Sequence, residues 1–281
     1  MDETLVAEFR DLIDSADATE NAVQAFMETN TAFVPTPDLL NHRLHMNSII
    51  AKFPIGGRKT DFAYLTKSSI EWRLVLVELE DSAKKIFKVS SKNHAFTAEF
   101  NDAVAQIDMW RDYVSGHLDQ LREKLHPILV PPQMARNHLS VQYLLVIGRS
   151  SELENHEARR LRLSKYGEER SLRILTYDTV LRMVQDGLSK PKAVLRTDSN
   201  GYRLQSVEGM PNNMFAYVMP EHLKLAKSAE AALRKDNYDI DAWLNNDPLV
   251  FNEKWTFDSA PNLYDEMHAS VKKAVLARKA N

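Results

Sequence analysis

Acidic residues stand in two segments that otherwise have the composition of buried β-strands. Asp61 precedes the apolar run at residues 62–65, and Glu78 and Glu80 close the run that begins at Leu74. Burying even a neutral polar group without a partner costs roughly 2 to 7 kcal/mol, and a charge costs more. Side chains alternate along a strand, so Glu78 and Glu80 should share one face about 6.6 Å apart. A bound divalent cation would account for acids in such places.

The two segments together could form an oxygen-ligand site. If they are neighbouring strands, Asp61 approaches the carboxylate of Glu78. Two carboxylates suit Mg²⁺ or Mn²⁺, which complete their shells with water and substrate phosphate. Such a metal polarises a phosphate and lowers the pKa of a bound water, which is phosphodiesterase chemistry. The alternative is that Asp61 and Glu78 lie on a surface-facing strand edge or form salt bridges with Arg58, Lys67 or Arg73.

The apolar periodicity predicts an α/β core at residues 17–190, preceded by one helix that ends near Ser15. Asp17 is expected to cap the second helix, with Glu20 as its capping-box partner. Gly56 and Gly57 have the pattern of a tight turn ahead of the strand with Asp61. Further strands are predicted at residues 48–53, 70–80, 141–147 and 172–176, and further helices at residues 97–123, 152–166 and from 178. The histidines at 42 and 45 are expected in a loop.

Residues 191–281 have a different pattern, which predicts a mostly helical C-terminal region. A hairpin is expected at residues 194–206 around Asn200 and Gly201, and helices at residues 221–235 and 263–278. Trp243 and Trp255 are expected to be core or interface residues. The domain organisation is therefore an N-terminal helix at 1–16, a core at 17–190 and this region at 191–281.

Composition excludes several kinds of protein. Hydrophobic residues make up 44% of the 281 residues and charged residues 27%, which is typical of a globular chain. The absence of cysteine excludes disulfides, thiolate metal sites and cysteine nucleophiles. No apolar stretch approaches the roughly 18 residues of a membrane helix, and the acidic N-terminus does not have the pattern of a secretory signal. We therefore expect a cytoplasmic protein with no membrane partner.

The order of elements and acids resembles the PD-(D/E)XK nuclease superfamily, whose restriction-endonuclease-like core is a central mixed sheet flanked by helices. Asp61 matches the first acid of that motif, and Glu78-x-Glu80 occupies the place of its second part. Glu20 lies on the preceding helix, where many members place an auxiliary acid. Gln106 lies on the following helix, with the aromatic Trp110 one turn later, as in several branches.

A closer resemblance, over most of residues 17–186, is to the Shedu antiphage defence nucleases. Its landmarks are the helix at 20–30, the strand at 77–80, Gln106-Ile107 with Trp110, and the segments 146–149 and 176–178. The resemblance implies a bacterial endonuclease that cuts DNA with a divalent metal, usually as a homo-oligomer. Metal ligands would be Asp61, Glu78 and Glu80, with Gln106 and Glu20 as further catalytic residues.

One position departs from the superfamily motif, because Glu80 stands where most members have lysine. Glu80 could add a metal ligand and permit a second ion. Alternatively, Lys52, Lys84 or Lys85 could bring a cation to the site from another backbone position. The third explanation is that the protein binds DNA without cutting it.

Basic residues suggest where DNA phosphates could bind. Arg149 ends a strand, and Arg159, Arg162 and Lys165 follow on the charged helix. Acids interleave with these residues, so a solvated helix with ion pairs four residues apart is the alternative. The rival interpretations of the whole chain are a non-catalytic DNA-binding or scaffold protein and a repair or restriction nuclease.

Overall fold

The computed structural model describes residues 3–15, 19–89, 93–207, 218–236 and 238–246. Its helices are α1 Glu3–Asp14, α2 Glu20–Thr29, α3 Ala98–Leu125, α4 Glu157–Glu169, α5 Tyr177–Gln185, α6 Lys227–Lys235 and α7 Ile240–Leu244. Its strands are β1 Leu44–Ala51, β2 Pro54–Ile55, β3 Arg58–Lys59, β4 Phe62–Lys67, β5 Glu71–Leu79, β6 His138–Val146, β7 Leu172–Leu175, β8 Ala193–Asp198, β9 Gly201–Ser206 and β10 Leu223–Leu225.

A mixed sheet of eight strands forms the centre of the described part of the chain. The strand order is β10-β9-β8-β1-β4-β5-β6-β7. The strands β1, β4 and β5 pair antiparallel, whereas β6 and β7 continue in parallel, as crossover helices α3 and α4 allow. The predicted α/β class, with a central mixed sheet flanked by helices, is confirmed.

The two faces of the sheet pack against different helices. Leu76 of β5 belongs to the apolar cluster that includes Ile107 of α3, whereas its neighbour Val77 packs in the cluster with Met27 of α2. The alternation of side chains along a strand produces this division. Glu78 continues the series of Leu76, so its side chain emerges on the α3 face.

Several boundaries differ from the sequence predictions for identifiable reasons. Strand β1 begins at Leu44 and contains a bulge, so His45 is a buried strand residue and the loop prediction for it was wrong. The Gly56-Gly57 turn, with φ of 56° and 79°, closes the small β2-β3 hairpin. Helix α4 begins at Glu157 instead of residue 152, because the chain first forms a short 3-10 turn at Ser150–Glu152, where the Glu152 carboxylate accepts hydrogen bonds from the Ile86 and Phe87 backbone.

The sheet continues beyond residue 190. The predicted hairpin at 194–206 is confirmed as β8 and β9, and β8 pairs with β1 of the core. The described part of 191–246 therefore contains three strands as well as two helices, so the mostly helical prediction is not confirmed there. Trp243 is buried as predicted and donates its Nε1–H to Val218 O at 3.0 Å. Trp255 and the predicted helix at 263–278 lie outside the described residues.

Candidate active site

Strand register brings a lysine and two acids together at one end of the sheet. Ala51 is paired with Phe62, and Phe62 with Val77, so one further step places Asp61 between Lys52 and Glu78. The Lys52 N–H donates to Asp61 O at 2.9 Å, which extends the β1-β4 pairing by this step. The condition that the acidic segments be neighbouring strands is thus met.

Asp61 is buried, and both of its carboxylate oxygens have partners. Lys52 Nζ lies 2.9 Å from Oδ1, and the Leu79 N–H donates to Oδ2 at 2.7 Å. The side chain of Lys52 is 34% exposed, whereas that of Asp61 is 4% exposed. A salt bridge to Asp61 therefore exists, but its partner is Lys52 and not Arg58, Lys67 or Arg73.

Glu78 differs from Asp61 and Glu80 in that no lysine or arginine pairs with it in the described part of the chain. It is buried, its Oε1 accepts a hydrogen bond from Gln106 Nε2, and its Oε2 is buried with no hydrogen-bond partner among the described residues. Burial raises the pKa of Glu78 to about 10, and the nearby charges of Asp61, Glu20 and Glu80 act in the same direction. The carboxylate form of Glu78 therefore requires a nearby cation.

Glu80, at the position of the usual lysine, is held by three elements. Its N–H donates to Val146 O at 2.8 Å, its carbonyl accepts from the Tyr177 hydroxyl at 2.6 Å, and Lys84 Nζ pairs with its carboxylate. The ion pair with Lys84 offsets the negative charge of Glu80. The position where the superfamily usually has lysine thus carries an acid that is ion-paired with Lys84.

Glu20 lies at the start of α2, next to the acids of the sheet. Burial raises its pKa, and the charges of Asp61 and Glu80 contribute in the same direction, which places Glu20 within electrostatic reach of both. Thr19 caps the helix by accepting a hydrogen bond from the Ala22 N–H at 3.3 Å. The N-cap is therefore Thr19 instead of the predicted Asp17, which lies outside the described residues, and Glu20 is the first helical residue rather than a capping-box partner.

The donor set restricts which metal could fit. Across the described ranges, no three His, Asp or Glu side chains are arranged to hold one ion. The metal set of Asp61, Glu78 and Glu80 therefore stays a prediction. Two carboxylates with one unpaired oxygen suit Mg²⁺ or Mn²⁺, which take further ligands from water and phosphate. They do not suit a cage made wholly of protein ligands.

Arg149, one of the predicted DNA contacts, connects two helices to the core. Its guanidinium pairs with Asp178 of α5, with an Nη2–Oδ1 distance of 2.8 Å, and with Asp14 of α1. The preceding Gly148 has φ of 64°, and a Cβ there would lie 2.6 Å from Lys84 O. This close approach joins the Arg149 turn to the loop that carries Lys84.

The basic residues of α4 differ in exposure and partners. Arg159 lies over the Phe87 ring and Arg162 over the Phe96 ring, with cation-to-centroid distances of 5.3 and 5.0 Å. Lys165 is 73% exposed and lies 3.8 Å from Glu169. The interleaved ion pairing expected of a solvated helix is thus present at Lys165, whereas the two arginines cover aromatic rings.

Sequence reasoning missed two residues that support the site. Tyr177 is fully buried and its hydroxyl fixes the backbone of Glu80. Glu152 is buried and holds the backbone at residues 86–87, next to the loop with Lys84. Neither role has a local sequence signal, because both depend on contacts between residues that are 65 or more positions apart.

Comparison with known proteins places this arrangement in a family. No curated protein matches the chain. The family model described as Shedu protein SduA, C-terminal, matches residues 17–181, which is more than half of the chain. The matched segment contains Glu20, the acids Asp61, Glu78 and Glu80 at the ends of β4 and β5, and the helix with Gln106. The chain therefore belongs to the Shedu family.

Proposed function

We propose that this protein is a divalent-metal-dependent DNA endonuclease with a PD-(D/E)XK core. Membership in the Shedu family implies an antiphage defence role. The observation that carries the nuclease proposal is the unpaired, buried Oε2 of Glu78, one strand away from Asp61. A cation at this oxygen would relieve the cost of the buried carboxylate, and a bound phosphodiester would supply further ligands.

The residues around this oxygen have distinct roles in the proposal. Asp61 and Glu78 hold Mg²⁺ or Mn²⁺, and Gln106 fixes the orientation of Glu78 through its amide. The bound metal would polarise the scissile phosphate and lower the pKa of a water molecule. Glu20 is an auxiliary acid at the edge of the site.

Lys52 is our choice for the cation that the motif lacks at position 80. Its ammonium contacts Asp61, whereas Lys84 is paired with Glu80 and Lys85 is exposed. A fixed positive charge beside the acids can offset the charge that develops on the phosphate. The explanation in which Glu80 binds a second ion would require Glu80 to release Lys84.

A cleavage assay tests the proposal directly. The full chain would be incubated with supercoiled plasmid and linear DNA in Mg²⁺, Mn²⁺ or EDTA. We expect strand breaks only with metal, and a loss of at least about 100-fold in Asp61→Asn and Glu78→Gln. Glu154→Gln is the matched control, because Glu154 is an exposed acid outside the predicted site residues. DNA binding without strand breaks in the unmodified protein would instead support the scaffold interpretation.

A plaque assay separates defence by cleavage from other roles. Cells that express the protein should resist phage, and cells with Glu78→Gln should lose that resistance at equal protein level. Retained resistance would contradict cleavage as the effector. Resistance to DNA damage without resistance to phage would favour a repair nuclease. The proposal also includes a cytoplasmic location and a homo-oligomer; sedimentation of the purified chain would test the oligomer, and cell fractionation would test the location.

A further inference from the structure

A cavity of about 640 Å³ lies at the opposite end of β4 from the acids. Asp61 precedes the first residue of β4, and Lys67 is its last residue. The polar lining includes Arg43, Lys67, Ser68 and Ser69. The volume is within the roughly 300–1,000 Å³ of small-molecule sites.

Lys67 is a half-buried cation without a matching anion. Its Nζ lies 3.4 Å from Val130 O and 3.5 Å from the sulfur of Met134, and 5.4 Å from the centre of the Trp72 ring. No carboxylate of the described residues pairs with it. Burial lowers its pKa, and no neighbouring acid offsets that effect. A partly desolvated ammonium with such weak partners is stabilised by an incoming anion.

The rest of the polar lining has the same sign. Arg43 is exposed and forms no ion pair within the described ranges, and no acidic residue lines the cavity. Ser68 accepts the Glu71 N–H at 3.1 Å, which leaves its hydroxyl hydrogen to donate. Two cations and two hydroxyls are donors that suit a phosphate group.

The apolar wall of the cavity is fixed before any ligand binds. Trp72 Nε1–H donates to Met134 O at 2.7 Å. The His45 ring forms a hydrogen bond with Ile128 O, with an Nε2–O distance of 2.8 Å. Pro131 and Met134 belong to this wall. A preformed apolar surface beside a cationic one fits a ligand with a flat group attached to an anion.

We propose that this cavity binds a small organic phosphate of the nucleoside monophosphate class. The phosphate lies against Lys67 and Arg43, and the base lies against the wall with Pro131 and Met134. This site is separate from the acids at the other end of β4, so it stands whether or not the protein cleaves DNA.

Calorimetry with the full chain tests this assignment. AMP and dAMP are titrated in EDTA into the Asp61→Asn variant, so that a metal at the acidic site contributes nothing. We expect AMP and dAMP to bind. Adenosine, which lacks the phosphate, and inorganic phosphate, which lacks the base, should each bind at least about tenfold more weakly than AMP. Inorganic phosphate that binds as tightly as AMP would overturn the nucleoside part of the assignment.

Variants locate the binding. Lys67→Met should weaken AMP binding at least about tenfold. Arg43→Ala should weaken it by a smaller factor, because Arg43 is exposed. Lys59→Met is the matched control, because Lys59 is exposed on β3, away from the cavity lining. Thermal unfolding of each variant separates a loss of binding from a loss of folding. If Lys67→Met does not fold, Arg43→Ala still tests the cavity. The proposal would be overturned by the absence of AMP binding at millimolar concentration, or by AMP binding in Arg43→Ala and Lys67→Met that is as tight as in Lys59→Met.

Discussion

Lys52 and Asp61 lie directly opposite each other at the ends of β1 and β4, with Lys52 Nζ 2.9 Å from Asp61 Oδ1. Lys52 also adopts a φ of 52°, which is unusual for a residue other than glycine. Strained backbone of this kind often occurs at functional sites. Of the three lysines considered as substitutes for the usual motif lysine, Lys52 is thus the one that contacts Asp61.

Lys52→Met should reduce metal-dependent cleavage about 100-fold, because it removes the side-chain cation proposed to offset charge on the phosphate. DNA affinity should change by no more than a few fold, since one charge among many contributes little to it. The measurements are single-turnover cleavage and binding at fixed salt. Lys59→Met, an exposed lysine on β3, serves as the control. An unchanged cleavage rate in Lys52→Met would exclude Lys52 from the reaction.

Moving the cation should restore part of the activity. The double variant Lys52→Met/Glu80→Lys places a lysine where the superfamily usually has it, and we expect about tenfold recovery over Lys52→Met alone. Recovery is partial because the new lysine lies near Lys84, the present partner of Glu80. The same cleavage assay measures it. Glu80→Lys without any recovery would indicate that Glu80 itself is required, as the second-ion explanation holds.

Gln106→Ala should weaken Mn²⁺ binding about tenfold, because hydrogen-bond partners that orient a metal-binding carboxylate typically contribute 10- to 100-fold in metal affinity. Gln106 donates to Glu78 Oε1, so its removal leaves a second oxygen of that carboxyl unpaired. Stability should fall by about 1–3 kcal/mol without metal. Calorimetric titration and chemical denaturation provide the two readouts. Gln133→Ala, at an exposed position, should change neither.

The stability of the metal-free protein should fall as pH rises, because of Glu78. Its pKa is raised to about 10 in the folded state by burial, so the folded state holds a proton that the unfolded state loses above its ordinary pKa. The stabilisation is complete below about pH 4.5 and disappears progressively towards pH 10. Glu78→Gln cannot ionise and should be more stable than the unmodified protein at pH 8 in EDTA. Denaturation at pH 6, 7 and 8 checks the slope, and parallel slopes in both proteins would contradict the raised pKa.

Substitution of Arg149 should affect stability, whereas substitution of Lys165 should affect DNA binding. Arg149→Met removes ion pairs with Asp178 and Asp14, so we expect a loss of about 1–3 kcal/mol in stability. Lys165→Ala should leave stability unchanged and reduce the salt dependence of DNA binding by about one phosphate contact. Denaturation and binding across a range of salt concentrations distinguish them. An unaltered salt slope in Lys165→Ala would remove Lys165 from the DNA-binding surface.

The sequence predicted the central elements well because their signals are local. Helix α3 was expected at residues 97–123 and spans Ala98–Leu125, with Thr97 as its N-cap. The prediction for β1 failed at its beginning because a bulge interrupts the alternation there. Residues 193–225 were assigned to a mostly helical region, since nothing local shows that β8 pairs with β1, about 140 residues earlier.

The sequence by itself identified Asp61 and Glu78 as candidate site acids, because both stand in segments that have the composition of buried strands. It also determined the order of elements and hence the family resemblance. Only the tertiary structure decided which lysine contacts Asp61, since that depends on the register of β1 against β4. It likewise decided that Arg149 holds two helices and that Lys67 lines a cavity. These are relationships between distant residues, which packing fixes and local sequence does not record.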